Sequence, residues 1–380
     1  MRLGILIYSL GGGGAERVVS HLLPHFLEQK IEVHLFLMHA TVGYDIPESI
    51  QVHYIENSNP AESGVNKLIK IPFLALRYAK LLKQLDITHS LSLLTRPNYI
   101  NILSRKFTSK KIKLIISERG QPSLQYSYKG LQSTINKFLI RKLYAKADSV
   151  ICNSMGNRND LIANFGINKD KIEVINNPID LEKVDKIEPI PDYFDSQYFN
   201  IITVGRLNKG KNHKLLIDAV ENIDGIRLYI LGEGELEDEL KTIVAEKSLE
   251  KKVFFMGFDP SPYKYLKAAD LFAFGSNHEG FPNVLLEAMA CGLPILSTNC
   301  KSGPDEILRL DKPLEDDIMI TDYGILTPVG NKLLMIKAIE YFRKNTEYLQ
   351  KTKKNSLQRV RNFDKGSILR KYESYILATE

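Results

Sequence analysis

The chain reads as an α/β protein built from two doubly wound parallel sheets, on three observations. Short apolar runs of strand length alternate with amphipathic stretches from one end to the other, the pattern of a parallel sheet covered by helices. The runs fall into two sets on either side of a segment rich in Pro, Asp and Glu. Glycine clusters follow several strand-like runs, where a strand must turn into a helix. A length of 380 residues exceeds what one hydrophobic core usually holds, so two domains are expected.

Along the chain, strands are expected at 3–8, 33–38, 89–94, 113–117 and 149–152, with helices between them. Residues 176–199 carry Pro178, Pro189 and Pro191, which block regular structure, and read as the interdomain connection. The second set of strands is expected at 200–204, 227–231, 253–256, 270–274 and 294–297. The resulting domains span residues 1–180 and 181–363.

Composition narrows the class. Hydrophobic content of 44% and charged content of 25% are those of a soluble globular protein. No apolar run approaches the ~18 residues of a membrane helix. No cleavage site follows Met1-Arg2, so the expected location is the cytosol. Cys152, Cys291 and Cys300 are odd in number, lack Cys-x-x-Cys spacing and read as reduced core residues. His21 and His25 have helical spacing without an intervening Glu, so a packed or solvent-facing pair is expected in place of a metal site. The chain contains no Asp-x-Asp, Gly-x-Ser-x-Gly or His-Glu-x-x-His, which argues against hydrolases and for an absence of metal and cofactor. The net charge of +6 is uneven: residues 1–180 hold 23 Lys and Arg against 14 Asp and Glu, and the remainder is net acidic. A basic amino half suits an anionic partner, lipid phosphate or nucleic acid.

Four turns carry candidate chemistry. In the first, Gly11-Gly12-Gly13-Gly14 separates a strand from a helix, and the amides of Gly13 and Gly14 can approach a phosphate at the helix start. A dinucleotide fingerprint needs Gly or Ala where Glu16 or Arg17 stands, which disfavours a nicotinamide cofactor; a purely structural turn stays open. The second turn, Gly205-Arg206-Leu207-Asn208-Lys209-Gly210-Lys211-Asn212, nearly spells a P-loop, but Asn212 replaces the hydroxyl residue that holds magnesium. What remains is a guanidinium, Arg206, and an ammonium, Lys211, able to neutralise a diphosphate. In the third, Glu279-Gly280-Phe281-Pro282-Asn283-Val284 leads into a helix bearing Glu287. Helix-start amides at Asn283 and Val284 suit a phosphate, and Glu279 and Glu287 can bracket a ligand's hydroxyls. The fourth, Gly232-Glu233-Gly234, suits close approach by a ribose or base.

With these loops located, the sequence resembles the retaining glycosyltransferases of family 4, whose GT-B fold sets two Rossmann-like domains face to face across a cleft. The resemblance covers nearly the whole chain. It implies that Glu279 contacts the transferred sugar and Glu287 the ribose. Arg206, Lys211 and the amides near Gly280, Phe281 and Asn283 would hold the diphosphate, with Gly13 and Gly14 closing over it. It also implies that residues 364–380, after Phe363-Asp364, form a helix crossing back to the amino-terminal domain. Many members carry a His where this chain has Ser117-Glu118-Arg119-Gly120, and Arg119 is expected in its place.

Segments such as Arg96-Pro97-Asn98-Tyr99, Gly257-Phe258-Asp259 and Pro262-Tyr263-Lys264-Tyr265 are similar to those of family members in bacterial protein N-glycosylation. This implies transfer of GalNAc from UDP-GalNAc to a GalNAc-bacillosamine acceptor on undecaprenyl diphosphate. Arg96, Asn98, Tyr99, Glu118 and Arg119 are the expected acceptor contacts, and nucleic acid is not an expected partner. Two alternatives stay open: a transferase of lipopolysaccharide or capsule assembly, and a non-catalytic nucleotide-sugar- or nucleic-acid-binding protein. A polyprenyl acceptor places the chain peripherally on the cytoplasmic face of the inner membrane. Ala75, Tyr78, Ala79, Leu82 and Leu85 share one helical face that would meet lipid, beside a basic cluster that includes Lys110 and Lys111; an ordinary core-packed helix is the alternative.

Overall fold

The computed structural model describes residues 1–57, 62–312 and 316–378. Fourteen strands among them form two sheets of seven. The first contains β1 (Arg2–Ile7), β2 (Glu32–Leu37), β3 (Gln51–Tyr54), β4 (His89–Leu93), β5 (Lys113–Glu118), β6 (Ser149–Cys152) and β7 (Ile172–Val174). Their order is β3-β2-β1-β4-β5-β6-β7, parallel throughout. The second contains β8 (Phe199–Val204), β9 (Ile226–Leu231), β10 (Val253–Phe255), β11 (Leu271–Phe274), β12 (Ile295–Thr298), β13 (Met319–Ile320) and β14 (Gly324–Thr327). Its order is β10-β9-β8-β11-β12-β14-β13, and only β13 runs antiparallel. All ten strands expected from the sequence occur; β3, β7, β13 and β14 are additional.

Each sheet reverses its direction of winding once, between β1 and β4 and between β8 and β11. Ligands of open α/β sheets bind beyond the carboxyl ends of strands at such points. In the second sheet these ends run into Gly205 and Gly275, so the topology brings the two loops 205–212 and 275–282 together.

Met1–Pro178 and the chain from Lys365 onward make one compact unit, and Ile179–Asp364 make the other. In the first unit, one face of the sheet is covered by the helices Ile71–Gln84, Thr95–Ser104, Leu131–Leu143 and Met155–Phe165. The other is covered by Gly14–Glu28 and by Lys365–Leu377, which contributes Ile368, Leu369, Tyr372 and Ile376. His25 Nε2 lies 2.9 Å from Glu373 Oε2 and links these two helices.

The structure corrects the reading of the helix Ile71–Gln84. Leu74, Ala75, Tyr78, Ala79 and Leu82 lie in the core, and Leu85 packs against it. Tyr78 OH reaches Ser90 Oγ at 2.8 Å, a bond that draws this face onto the sheet. The face expected to meet lipid is therefore interior. The three cysteines are free, and burial pushes the thiols of Cys291 and Cys300 up to about 12, so they stay protonated.

Candidate active site

The loop after β8 and the loop after β11 are stitched together through Asn277, by its backbone and its side chain. Gly210 O accepts from Asn277 N at 2.8 Å, Lys209 O accepts from Asn277 Nδ2 at 3.0 Å, and Asn212 Nδ2 donates to Asn277 Oδ1 at 3.0 Å. Asn212 sits at φ +48°, a left-handed conformation Asn tolerates better than most residues, and precedes the helix His213–Val220. That conformational demand accounts for Asn at the position where a P-loop has its hydroxyl. Gly275 belongs where it is because a side chain there would begin 2.9 Å from Asn212 O.

This stitching delivers Lys211 to Glu279. The Nζ–Oε1 distance is 2.6 Å, with both side chains largely sheltered. Ser276 Oγ also lies 2.6 Å from Glu279 Oε1 and 3.0 Å from Gly210 O; its single proton serves one at a time. The ammonium sits 5.1 Å from the Phe274 ring centroid, a favourable cation–π position. Its aliphatic stem runs past Gly205, within 3.6 Å of where a side chain would begin. Asn208, Lys209, Gly210, Lys211, Glu235, His278 and Glu279 line a cavity of about 250 Å³. Arg206 is exposed beside it and makes no ion pair among the described residues. An ammonium has three donors, so Lys211 can hold Glu279 and still offer protons to an anion.

The third turn splits into roles. Pro282 takes the cap position, and Asn283 and Val284 open the helix Asn283–Ala290 with their amides at its amino end. Ser302 Oγ donates to Gly280 O at 2.6 Å and fixes the turn. Phe281, by contrast, is buried in the core with its ring 5.6 Å from that of Phe363, so its side chain supports the loop from beneath. Glu287 is buried on the second turn of the helix.

Gly232 and Gly234 serve the protein's own backbone. Side chains at either would overlap the main chain of Gly205 or Leu207, and Gly232 has φ +147°. Leu207 N donates to Glu233 O at 2.9 Å, so the two turns lie in contact. The close approach read from these glycines is thus made by the loop 205–207. Glu233 is exposed, its Oε1 accepting from Phe258 N at 3.3 Å.

In the first unit, Gly11 to Gly14 are exposed, Gly12 has φ +118°, and Gly13 caps the helix Gly14–Glu28. Burial raises the Glu16 carboxyl above its ordinary range, against the pull of its own backbone amide and of Arg119. The expected acceptor contacts are mostly internal. Asn98 and Tyr99 are fully buried: Asn98 Nδ2 donates to Ser117 O at 3.0 Å, and Tyr99 OH to Asn136 O at 3.1 Å. Arg96 pairs with Glu56 at 2.8 and 3.2 Å and donates to Lys67 O. Glu118 is buried and raised by desolvation, though Tyr144 OH donates to it at 2.6 Å and the Arg119 amide at 3.0 Å. Arg119 spends its two terminal nitrogens on Tyr372 OH, 2.9 Å away, and on Asn177 Oδ1. Each of the five thus has protein partners of its own, as burial of a polar group requires.

Lys211, Glu279 and Gly205 are thus brought together as read from the sequence. Ser276, Glu235 and His278 join them without having been singled out.

The amino-terminal half matches the family model described as Glycosyltransferase Family 4 over residues 12–183, and the other half matches Glycosyl transferases group 1 over 190–359. The N-acetylgalactosamine-N,N'-diacetylbacillosaminyl-diphospho-undecaprenol 4-alpha-N-acetylgalactosaminyltransferase of Campylobacter jejuni is 43% identical over 377 residues, covering 99% of each chain. Among solved structures, Anabaena HepE in complex with UDP superposes with a TM-score of 0.78 at 18% identity over 100% of both chains. Sucrose-phosphate synthase from Thermosynechococcus elongatus does so with a TM-score of 0.79 at 16% identity, covering 99% of this chain and 98% of that one.

Proposed function

From the premise that the chain belongs to glycosyltransferase family 4, has the GT-B fold and is a hexosyltransferase, we propose that it adds GalNAc to an undecaprenyl-diphosphate-linked GalNAc-bacillosamine acceptor. The observation that carries this reading is 43% identity, over 99% of both chains, to a transferase of that name. The proposed donor is UDP-GalNAc, and the setting is the cytoplasmic face of the inner membrane, with the chain bound peripherally.

The second unit supplies what departure of a nucleoside diphosphate requires. Arg206 and Lys211 meet the two phosphates, and the Asn283 and Val284 amides add a neutral contact at a helix start. Glu279 holds the donor sugar while keeping Lys211 in place at 2.6 Å. Glu287 and Glu233 are assigned to the nucleoside. The acceptor hydroxyl attacks the anomeric carbon, the bond from that carbon to the phosphate oxygen breaks, and the hydroxyl proton passes to the departing phosphate. Attack on the face of departure retains the anomeric configuration. Cationic side chains stabilise the leaving group, and neither metal nor cofactor is assigned a role.

The test is a parallel assay of UDP-GalNAc, UDP-GlcNAc and UDP-Glc with the lipid-linked disaccharide, with and without excess EDTA. Turnover chiefly with UDP-GalNAc, unaffected by EDTA and giving an α-linked product, is expected. Preference for another donor overturns the sugar assignment, strict metal dependence overturns the cationic mechanism, and a β-linked product overturns retention.

A further inference from the structure

Between Ser63 and Ala147 the sequence holds seventeen Lys and Arg and only two acids, Asp86 and Glu118. Glu118 is buried, and Asp86 pairs with Lys110 and Arg2; Glu62, Glu56 and Asp148, just outside the stretch, pair with Lys70, Arg96 and Arg105, so most of the cationic excess is left uncompensated. The same stretch contains exposed apolar side chains. Ile69 is 71% exposed, Phe73 67%, Leu131 68% and Phe138 57%. Ile69 and Phe73 are one helical turn apart, on a chain that stays helical through Lys70 between the helices Gly64–Ile69 and Ile71–Gln84. Leu131 and Phe138 are two turns apart on the helix Leu131–Leu143.

The two stripes belong to one side of the first unit. The helix Thr95–Ser104 is buried along nearly its whole length, and Ile71–Gln84 and Leu131–Leu143 both pack against it on the same face of the sheet. The helix Gly64–Ile69 meets the start of Leu131–Leu143 where Gly64 abuts the Gln132 side chain; a β-carbon at Gly64 would overlap it. Around the apolar residues stand Lys80, Lys83, Lys129 and Lys142, all exposed.

We propose that this outer face, built from the helices Gly64–Ile69, Ile71–Gln84 and Leu131–Leu143, seats the protein on a bilayer that carries anionic lipid. The proposal rests on the reading of a lipid-linked acceptor and adds the surface that meets the lipid. Exposed Ile, Leu and Phe side chains gain by entering the acyl boundary, and the surrounding ammonium groups stay with the headgroups. A nucleic-acid surface would have the cations without needing the bare aliphatic side chains. No helix among the described residues is long and apolar enough to cross the membrane, so the contact is made from one side.

The experiment compares wild type, Phe73→Ser/Leu131→Ser and Lys80→Gln/Lys83→Gln. Vesicles of phosphatidylcholine alone, or with about one-third phosphatidylglycerol, are sedimented at low and high salt. Wild type is expected to bind the anionic vesicles. The apolar pair should weaken that binding at least ~10-fold at both salt levels, and the lysine pair should weaken it only at low salt. Thermal midpoints, and turnover of an acceptor with a short water-soluble lipid, are expected to stay unchanged. Wild-type-like binding by both variants overturns the surface, as does stronger binding of wild type to a single-stranded RNA than to vesicles. Failure of the short-chain acceptor to react, with vesicle binding intact, overturns the transferase reading and leaves the surface standing.

Discussion

Lys211 Nζ and Glu279 Oε1, 2.6 Å apart, hold each other across two loops separated by 68 residues of sequence. Each restrains the other where the donor is proposed to bind. Glu279→Gln, Lys211→Ala and Arg206→Ala are each expected to lower kcat/KM at least ~10-fold, because one charge-assisted bond exceeds the ~1.4 kcal/mol of a decade in rate. The double variant of Lys211 and Glu279 should lose less than the product of the single losses, since the two act as a unit. Steady-state kinetics alongside thermal melts check this; near-normal activity in all three single variants would remove the site assignment.

His213 gives stability a defined pH dependence. It is buried next to Lys211, its Nδ1 has no hydrogen-bond partner among the described residues, and desolvation with the Lys211 charge lowers it from 6.5 to about 4. The folded state therefore binds this proton less readily than the unfolded state. The contribution is fully present above pH 6.5 and is lost as pH falls toward 4, for a total of about 3 kcal/mol. His213→Gln should flatten the dependence of the denaturation midpoint on pH between 7 and 4.5. An unchanged slope would mean that His213 is not held neutral.

The contact between the turns 205–207 and 232–234 leaves no room for a β-carbon. Gly232→Ala and Gly234→Ala should each cost ~2 kcal/mol or more, because the obstacle is backbone that cannot swing aside. A fall in melting temperature of about 5 °C or more is the expected reading. Full stability in both variants would show that the turns are not in contact.

Arg119 holds the returning helix Lys365–Leu377 through Tyr372 and the outgoing segment through Asn177. Arg119→Ala should raise amide hydrogen exchange in residues 365–377 by ~10-fold, with a smaller rise for Tyr372→Phe. Exchange like wild type in Arg119→Ala would reduce the contact to one without structural weight.

The fold was largely legible because buried parallel strands are continuous apolar runs. Leu3 to Ile7 and Ile201 to Thr203 are interior on both sides. The missed strands β3, β7, β13 and β14 have two to four residues each, and three of them are sheet edges. Lys211 and Glu279 were legible because a cation and a carboxylate followed strand-ending glycines. Ser276, Glu235 and His278 were not, because each is an ordinary polar residue until the loops meet. The pairing of Arg96 was not legible either, because its partner Glu56 lies forty residues earlier. The apolar stripe from Ala75 to Leu82 showed that the helix is amphipathic, while which side the core takes is decided by neighbours far away in sequence.

The final layer of the first unit is made last. A ribosome delivers residues in order, and the second unit is the uninterrupted run Ile179–Asp364. The first unit still lacks Ile368, Leu369, Tyr372 and Ile376 when that run is complete. A nascent chain halted after Asp364 carries every residue of the second unit and an unfinished first one. The helix Gly14–Glu28 then lacks the helix that packs beside it. During translation the apolar face open to chaperones, or to a neighbouring nascent chain, therefore belongs to the half synthesised first.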